Sequence, residues 1–412
     1  MAERSARQIA LDALTEWRTG RAFGDSIIQR FLGRGTLGAS DRGFATELFY
    51  GALRNRTLLD FWIAQLRSAS LDHTSRDVLR IGLYQLFWLR TPAHAAVHET
   101  VELAGRKNRS LINAVLRSAL RRHEELERAA SAENLAIRAS HPEFLIERWN
   151  AAFGEPAAAS LCEWNNQPAP VYARINQLRI QPQQFLEGNP RAELLPDGKF
   201  VRIASFPTEA LERGYCYIQD PSTGVACELL DPRPGERVLD ACAAPGGKSG
   251  LLAQLMQNSG ELLSVDRDAA RVEMMQGNLD RLGVEIARTI RHDWLSSTTR
   301  DLGSFDRILI DAPCTNTGVM RRRVDLRWRL TRDDFARMPV EQLSIIRAVI
   351  PLLKEGGSLV YSTCSIEADE NEKVVERAAE EFPFLQLGEQ RSVLPFRDGF
   401  DGAYAAKFLR TE

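Results

Sequence analysis

Beyond Gly214 the chain repeats one rhythm: a short aliphatic, β-branched run, then a loop, then a helix-like stretch, returning about every 25 residues. The runs fall at 237–240, 262–266, 287–291, 307–311 and 358–362, with helical stretches such as 249–257 and 340–353 between them. Each interval has room for one crossover helix, so the pattern predicts a doubly wound, Rossmann-like α/β domain with a parallel sheet. Ligands of such sheets bind at the carboxyl ends of the strands. Three segments sit at those ends: Asp240-Ala-Cys-Ala-Ala-Pro-Gly-Gly-Lys-Ser249, Asp311-Ala-Pro-Cys314 and Tyr361-Ser-Thr-Cys-Ser365. They are expected to meet in one crevice.

Upstream the period is helical. From Arg4 to about Arg122, apolar residues return every three or four positions, as in Leu58, Trp62 and Leu66 or Leu79, Leu83 and Leu86, with arginines between them. Residues 1–125 carry 19 Lys+Arg against 13 Asp+Glu, a surplus of 6 in a chain whose net charge is -2. This makes the N-terminal part the better candidate for a polyanion-facing surface. Only 6 of the 53 basic residues are lysine. Arginine suits bidentate phosphate contacts, but a GC-rich genome produces the same bias.

A chain of 412 residues exceeds one ordinary core. The boundaries read from the pattern are 1–125 for the helical module, 126–145 for a charged, alanine-rich linker helix, 146–218 for a small α+β insert and 219–412 for the α/β domain. No apolar stretch approaches a bilayer span and the start lacks the apolar core of a signal peptide, so a cytoplasmic protein without a membrane partner is expected. A monomer is the default. The six cysteines form no C-x-x-C pair, and His94 and His98, one helical turn apart, have no third ligand nearby. No metal is expected.

Gly247-Lys248-Ser249 resembles the end of a phosphate-binding loop, but the position that needs the first glycine is Cys242. What remains is a glycine turn that lets backbone amides and a helix N-terminus approach a ligand. Asp266 ends the second run, where an acid accepts hydrogen bonds from ribose hydroxyls. A ribose-bearing cofactor without the phosphate loop is a nicotinamide or S-adenosylmethionine. Asp293, in His292-Asp-Trp294, is placed to receive an adenine amino group or simply to cap its loop. Enzymes that methylate exocyclic nitrogen place Asn/Asp-Pro-Pro-aromatic after the strand that here ends in Asp311-Ala-Pro-Cys314, so a carbon acceptor is favoured. Carbon 5 of a pyrimidine becomes nucleophilic once a thiolate adds at carbon 6. Cys314 and Cys364 are the candidate thiols, each also readable singly as an inert buried cysteine. Arg321, Arg322 and Arg323 are expected to lower the pKa of the Cys314 thiol. Most of Glu367, Asp369, Glu370 and Glu372 read as acids at a helix N-terminus.

DACAAPGGKS, DAPC and YSTCS in this order closely resemble the RNA cytosine-5 methyltransferases of the Nop/Sun family. With its helical N-terminal part, which looks NusB-like, nearly the whole chain is similar to the bacterial RsmB (Sun/Fmu) branch. The resemblance implies S-adenosylmethionine held by Cys242, Ala243, Ala244, Pro245, Gly246, Gly247 and Lys248 and by Asp266, Asp293 and Asp311. It implies that Cys364 attacks carbon 6 of a cytosine in small-subunit (16S) ribosomal RNA, and that Cys314 assists breakdown of the adduct. Lys248 and Asp311 would join the catalytic set. Residues 1–125 and 146–218 would bind RNA. Spacing alone leaves the two thiol roles open, and the family resemblance assigns them. The alternatives are the same chemistry on transfer RNA, or a non-catalytic RNA-binding assembly factor. Three departures from the family pattern stand out: Thr315-Asn316 replaces Ser-Gly, Arg322-Arg-Val-Asp-Leu326 lacks the usual proline, and Asp398-Gly-Phe-Asp-Gly-Ala-Tyr404 is irregular. Asparagine tolerates positive φ, so the turn after Cys314 is expected to survive.

Overall fold

A stripe of apolar residues on a helix is stable only when other elements cover it, and the N-terminal part of the chain meets that need with helices packed on helices. The computed structural model describes residues 4–33, 37–296 and 302–411. It divides into two compact units, Met1–Pro168 with Met320–Leu330, and Ala169–Val319 with Thr331–Glu412.

The first unit contains α1 (Ala6–Trp17), α2 (Gly24–Gly33), α3 (Ala39–Arg54), α4 (Arg56–Leu66), α5 (His73–Trp88), α6 (Ala93–Leu103), α7 (Arg109–Arg121), α8 (His123–Ser131), α9 (Leu135–Arg138), α10 (Glu143–Phe153) and α11 (Glu155–Asn166). Of these, α5 is central: Asp77 to Gln85 are all buried. Its charged members are paired, with Arg80 bonded to Asp77 at 2.7 Å and to Asp60 at 2.8 Å. The α3–α5 crossing is close enough that a Cβ on Gly51 would lie 2.1 Å from the Tyr84 ring. His94 and His98 are exposed on α6. The segment Met320–Leu330 folds with these helices. Val324 joins their apolar core, the Asp325 carboxylate accepts the Gly24 N–H at 2.8 Å and the Trp17 indole N–H at 3.2 Å, and the Trp328 indole donates to the Leu53 carbonyl at 2.8 Å.

The second unit begins with a small antiparallel sheet of β1 (Val171–Ile175), β2 (Ala192–Leu194), β3 (Phe200–Ile203) and β4 (Cys216–Ile218), in the order β2-β3-β1-β4. It is accompanied by α12 (Pro182–Gly188) and α13 (Thr208–Glu212). The larger sheet has β5 (Arg237–Asp240), β6 (Glu261–Asp266), β7 (Ala287–Arg291), β8 (Phe305–Asp311), β9 (Leu353–Thr363), β10 (Leu385–Val393) and β11 (Ala403–Arg410), ordered β10-β11-β9-β8-β5-β6-β7. Strands β7, β6, β5, β8 and β9 are parallel neighbours, with Asp240 opposite Leu309 and Asp311 opposite Ser362. Helices α14 (Gly224–Leu230), α15 (Gly247–Leu255), α16 (Ala269–Leu282), α17 (Arg332–Val349), α18 (Glu372–Glu381) and the short α19 (Pro395–Asp398) accompany the sheet.

The predicted parallel sheet is therefore mixed: β11 runs antiparallel between β9 and β10. These two strands carry little of the expected signal. β10 is an exposed edge, Leu-Gln-Leu-Gly-Glu-Gln-Arg-Ser-Val, and β11 is alanine-rich. Helix α17 starts at Arg332 rather than at 340, with Pro339 inside it and a Thr331–Asp334 capping box at its start. Proline removes an internal N–H and normally marks a helix boundary, which hides the first two turns from a pattern reading. Among the described residues no helix is long and apolar enough to cross a membrane.

Candidate active site

The strand order reverses at β5, and the loops that leave the carboxyl ends of β5, β6, β8 and β9 supply the candidate residues. Asp240 closes β5. Ala241 N–H continues onto Leu309 O and Ala243 N–H onto Val265 O, both at 2.8 Å, which holds the 241–243 stretch across the sheet top. The chain then turns at Gly246, whose φ of 98° is open to glycine, and Gly247 begins α15. A Cβ on Gly247 would lie 2.8 Å from the Tyr217 ring. The Pro245 carbonyl accepts Asn278 Nδ2 at 2.9 Å, tying the loop to α16.

Asp266 ends β6. Its carboxylate accepts the Asp268 N–H at 3.0 Å and faces Arg271 at 3.3 Å. Asp293 follows β7, is exposed, and accepts the Leu295 N–H at 3.0 Å, the loop-capping geometry weighed for it above. Asp311 ends β8 and is bonded on both oxygens, to Lys248 Nζ at 2.7 Å and to Ser362 Oγ at 2.9 Å. Burial opposes the charge on Lys248, but Asp311 outweighs it and raises the ammonium above its usual range.

Cys314 and Cys364 meet, with their sulfurs 3.3 Å apart. Cys364 Sγ also lies 3.0 Å from Asn316 Oδ1, while Asn316 Nδ2 donates to the Cys314 carbonyl at 2.6 Å. Asn316 has φ of 57°, the left-handed conformation expected for it. The hydrogen bond with Cys364 and then burial hold the Cys314 thiol well above its ordinary pKa, with Glu370 adding to both. The expected lowering by Arg321–Arg323 is thus overturned. Arg321 instead lies 4.0 Å from the Trp164 ring and donates to the Pro168 carbonyl at 2.6 Å, within the helical unit.

Three further groups escaped the sequence reading. The Trp294 indole donates to the Ala241 carbonyl at 2.6 Å, at the start of the glycine loop. Asp240 is fully buried, accepts from Ser249 Oγ at 2.7 Å through one oxygen, and leaves Oδ1 without a hydrogen-bond partner among the described residues. Burial raises its pKa to about 7 against the opposing Ser249 bond. Glu370 is also buried rather than a solvated helix-terminal acid, and its bonds run to both cysteine turns.

The family model described as 16S rRNA methyltransferase RsmB/F matches residues 227–409, the NusB family model residues 4–121, and an RsmF/B-like ferredoxin-like domain model residues 141–188. The Bacillus subtilis protein named probable ribosomal RNA small subunit methyltransferase B is 35% identical, over 93% of this chain and 90% of its own length. Ribosomal RNA small subunit methyltransferase B of Yersinia pseudotuberculosis is 34% identical over 90% of this chain and 91% of its own. The solved structure titled PH0851 superposes with a TM-score of 0.79 at 22% identity, over 98% of both chains, and so shares the fold. With each part matched in order and relatives covering nine tenths of its length, the chain belongs to the RsmB/Sun family of S-adenosylmethionine-dependent methyltransferases of small-subunit (16S) ribosomal RNA.

Proposed function

We propose that this enzyme methylates carbon 5 of a cytosine in small-subunit ribosomal RNA through a covalent Cys364–cytosine adduct. The observation that carries this reading is the contact between two thiols, Cys314 and Cys364 at 3.3 Å, beside the Lys248–Asp311 pair at the strand ends.

The residues present fit the cofactor. A loop with no Cβ at Gly246 and Gly247, a strand-end acid at Asp266 and a buried, unpaired Asp240 Oδ1 suit a ribose-bearing ligand that brings its own hydrogen-bond donors. Cys242 to Lys248, Asp266, Asp293 and Asp311 would hold it. S-Adenosylmethionine bound there supplies an electrophilic sulfonium methyl group. Cys364 adds to carbon 6 of the cytosine, which makes carbon 5 nucleophilic. Asp311, oriented by Lys248 and Ser362, faces the polar edge of the base. After methylation, the carbon 5 proton leaves and the carbon 6–sulfur bond breaks, returning the Cys364 thiolate. Cys314, adjacent to that sulfur, assists this elimination. The base must be unstacked to offer its face, at a cost of roughly a few kcal/mol. Residues 1–125, with their basic surplus, and 146–218 would hold the surrounding RNA.

Transfer of labelled methyl to protein-free small-subunit ribosomal RNA tests the proposal. Wild type is expected to place label in 5-methylcytosine, Cys364→Ala to lose it, and Cys314→Ala to accumulate an RNA adduct that survives denaturation. If Cys314→Ala abolishes the adduct and Cys364→Ala accumulates it, the roles are reversed. Label on a nitrogen or on ribose would end the carbon 5 reading.

A further inference from the structure

Sulfur positions matter to a reaction in which one thiol attacks and its neighbour assists departure, and neither sulfur sits on a regular element. Cys314 lies in the turn after β8 and Cys364 in the turn after β9. The turns touch directly, with the Ile366 N–H donating to Thr317 Oγ1 at 3.2 Å and Asn316 and Gly318 bonded to Cys364, and one buried carboxylate reaches across to both. Glu370 Oε2 accepts the Thr315 N–H at 2.8 Å and Gln342 Nε2 at 2.9 Å. Its Oε1 accepts Ser365 Oγ at 2.8 Å and the Thr315 hydroxyl. Thr315 follows Cys314 and Ser365 follows Cys364. Gln342, on α17, also donates to the carbonyl of Pro313, at 2.9 Å, so the first turn is held on both sides of its cysteine. The adjacent Asn371 does the same for the second turn, accepting from Thr363 Oγ1 at 2.6 Å and donating to Ser365 O at 2.9 Å.

We propose that Glu370 is a positioning residue of the methyl-transfer reaction, a clamp that joins the turn after Cys314 to the turn after Cys364 and thereby sets the distance between the two thiols. The inference rests on the two-thiol chemistry proposed above. A carboxylate suits the task because its two oxygens accept four hydrogen bonds and donate none, here from the Thr315 N–H and hydroxyl, the Ser365 hydroxyl and the Gln342 amide. The cost of burying it is visible in its raised pKa, which burial drives against its hydrogen bonds. The same charge reaches Cys314, whose proton is held by Cys364, by burial and by Glu370, with Tyr361 also near. Glu370 thus acts on where the sulfurs are, and its charge adds to the upward shift of the Cys314 thiol. It needs no contact with RNA or cofactor.

The variants separate these effects. In Glu370→Gln the new amide NH2 can donate to the Thr315 and Ser365 hydroxyls, which turn round to accept, so the clamp survives and the charge is lost. Glu370→Ala removes both. Thiol proximity is read without any methylation, as the rate at which the oxidant diamide converts Cys314 and Cys364 to a disulfide, followed by peptide mapping. Glu370→Ala is expected to slow that rate at least tenfold and to lower kcat at least fiftyfold, with KM for RNA and S-adenosylmethionine affinity within threefold of wild type. Glu370→Gln is expected to recover both rates to within fivefold and to bring alkylation of Cys314 to lower pH. If Glu370→Ala does not fold, Ser365→Ala removes one donor and is expected to slow disulfide formation three- to tenfold. Disulfide formation within threefold of wild type in the folded alanine variant overturns the clamp. Wild type that makes no 5-methylcytosine overturns the proposed reaction instead, and the disulfide rates still decide the clamp.

Discussion

Around Cys364 the backbone itself is packed at the limit. Gly318 N–H donates to the Cys364 carbonyl at 3.0 Å, Gly402 N–H donates to the Gly318 carbonyl at 2.8 Å, and a Cβ on Gly318 would lie 2.6 Å from Gly402 Cα and 2.7 Å from Cys364 O. Backbone atoms cannot step aside as a flexible side chain does, so Gly318→Ala is expected to cost about 1–3 kcal/mol and displace the Cys364 turn. Urea unfolding and methyl transfer measured together check this, with activity falling further than stability explains. Asp240 gives a pH test. Its pKa is about 7 in the folded chain and near 3.9 when unfolded, so between those values the unfolded chain ionises while the folded one keeps its proton. Stability from this group is full below about pH 4 and is lost as pH rises through about 7. Asp240→Asn removes the slope. The melting temperature of the variant relative to wild type is expected to climb from pH 4 to 7 and level off above 8. The strand-end residues were legible because each belongs to a local motif. Trp294 and Glu370 were not, since Trp294 holds Ala241 from 53 positions away and Glu370 reaches the Cys314 turn at Thr315 from 55 positions away.

The elements divide in the same way between local and remote causes. The strands β5, β6, β8 and β9 were readable from short aliphatic runs that the sheet buries, whereas β7, Ala-Arg-Thr-Ile-Arg, is mostly unburied and was marked by its spacing. The hairpin of β10 and β11 was not, because the alanine-rich β11 becomes a strand through pairing with β9, and the exposed edge β10 through pairing with β11. The turn Val324–Trp328 is the clearest remote case. Its sequence, Val-Asp-Leu-Arg-Trp, has no strong propensity, and it is fixed by groups more than 270 positions away in the chain: the Trp17 indole and the Gly24 N–H on Asp325, and the Leu53 carbonyl on Trp328. Arg327 is fully buried there with neutral partners, Asn166 Oδ1 at 2.7 Å and the Asn165 carbonyl at 3.1 Å. Asp325→Ala leaves the Gly24 N–H and the Trp17 indole without an acceptor and is expected to lower stability by about 3 kcal/mol, with Asp325→Asn losing about half as much. The shift in unfolding midpoint, followed by tryptophan fluorescence, measures both.

A family relationship that treats the helical part as an RNA-binding attachment suggests a simple division of labour, in which residues 1–125 capture RNA and the rest does chemistry. The compact units argue for something more integrated. The helical unit is discontinuous: it includes Met320–Leu330, a segment that leaves the sheet-bearing unit after Val319 and rejoins it at Thr331. Cys314 and Met320 are six positions apart, and the intervening turn holds Asn316 and Gly318, both bonded to Cys364. Removing residues 1–125 therefore strips Met320–Leu330 of Trp17, Gly24 and Leu53 while leaving it covalently attached to the turn that shapes the site. If the helices served capture alone, the truncated chain would show a raised KM for RNA and an unchanged kcat on a short, saturating RNA. We expect instead that kcat on short RNA falls at least tenfold, and that trypsin cuts rapidly after Arg321, Arg322, Arg323, Arg327 or Arg329, of which Arg327 has no exposure in the intact chain. Full kcat together with resistance at these arginines would mean that the segment folds without its helical partners, and that the two parts divide the work as the simpler view holds.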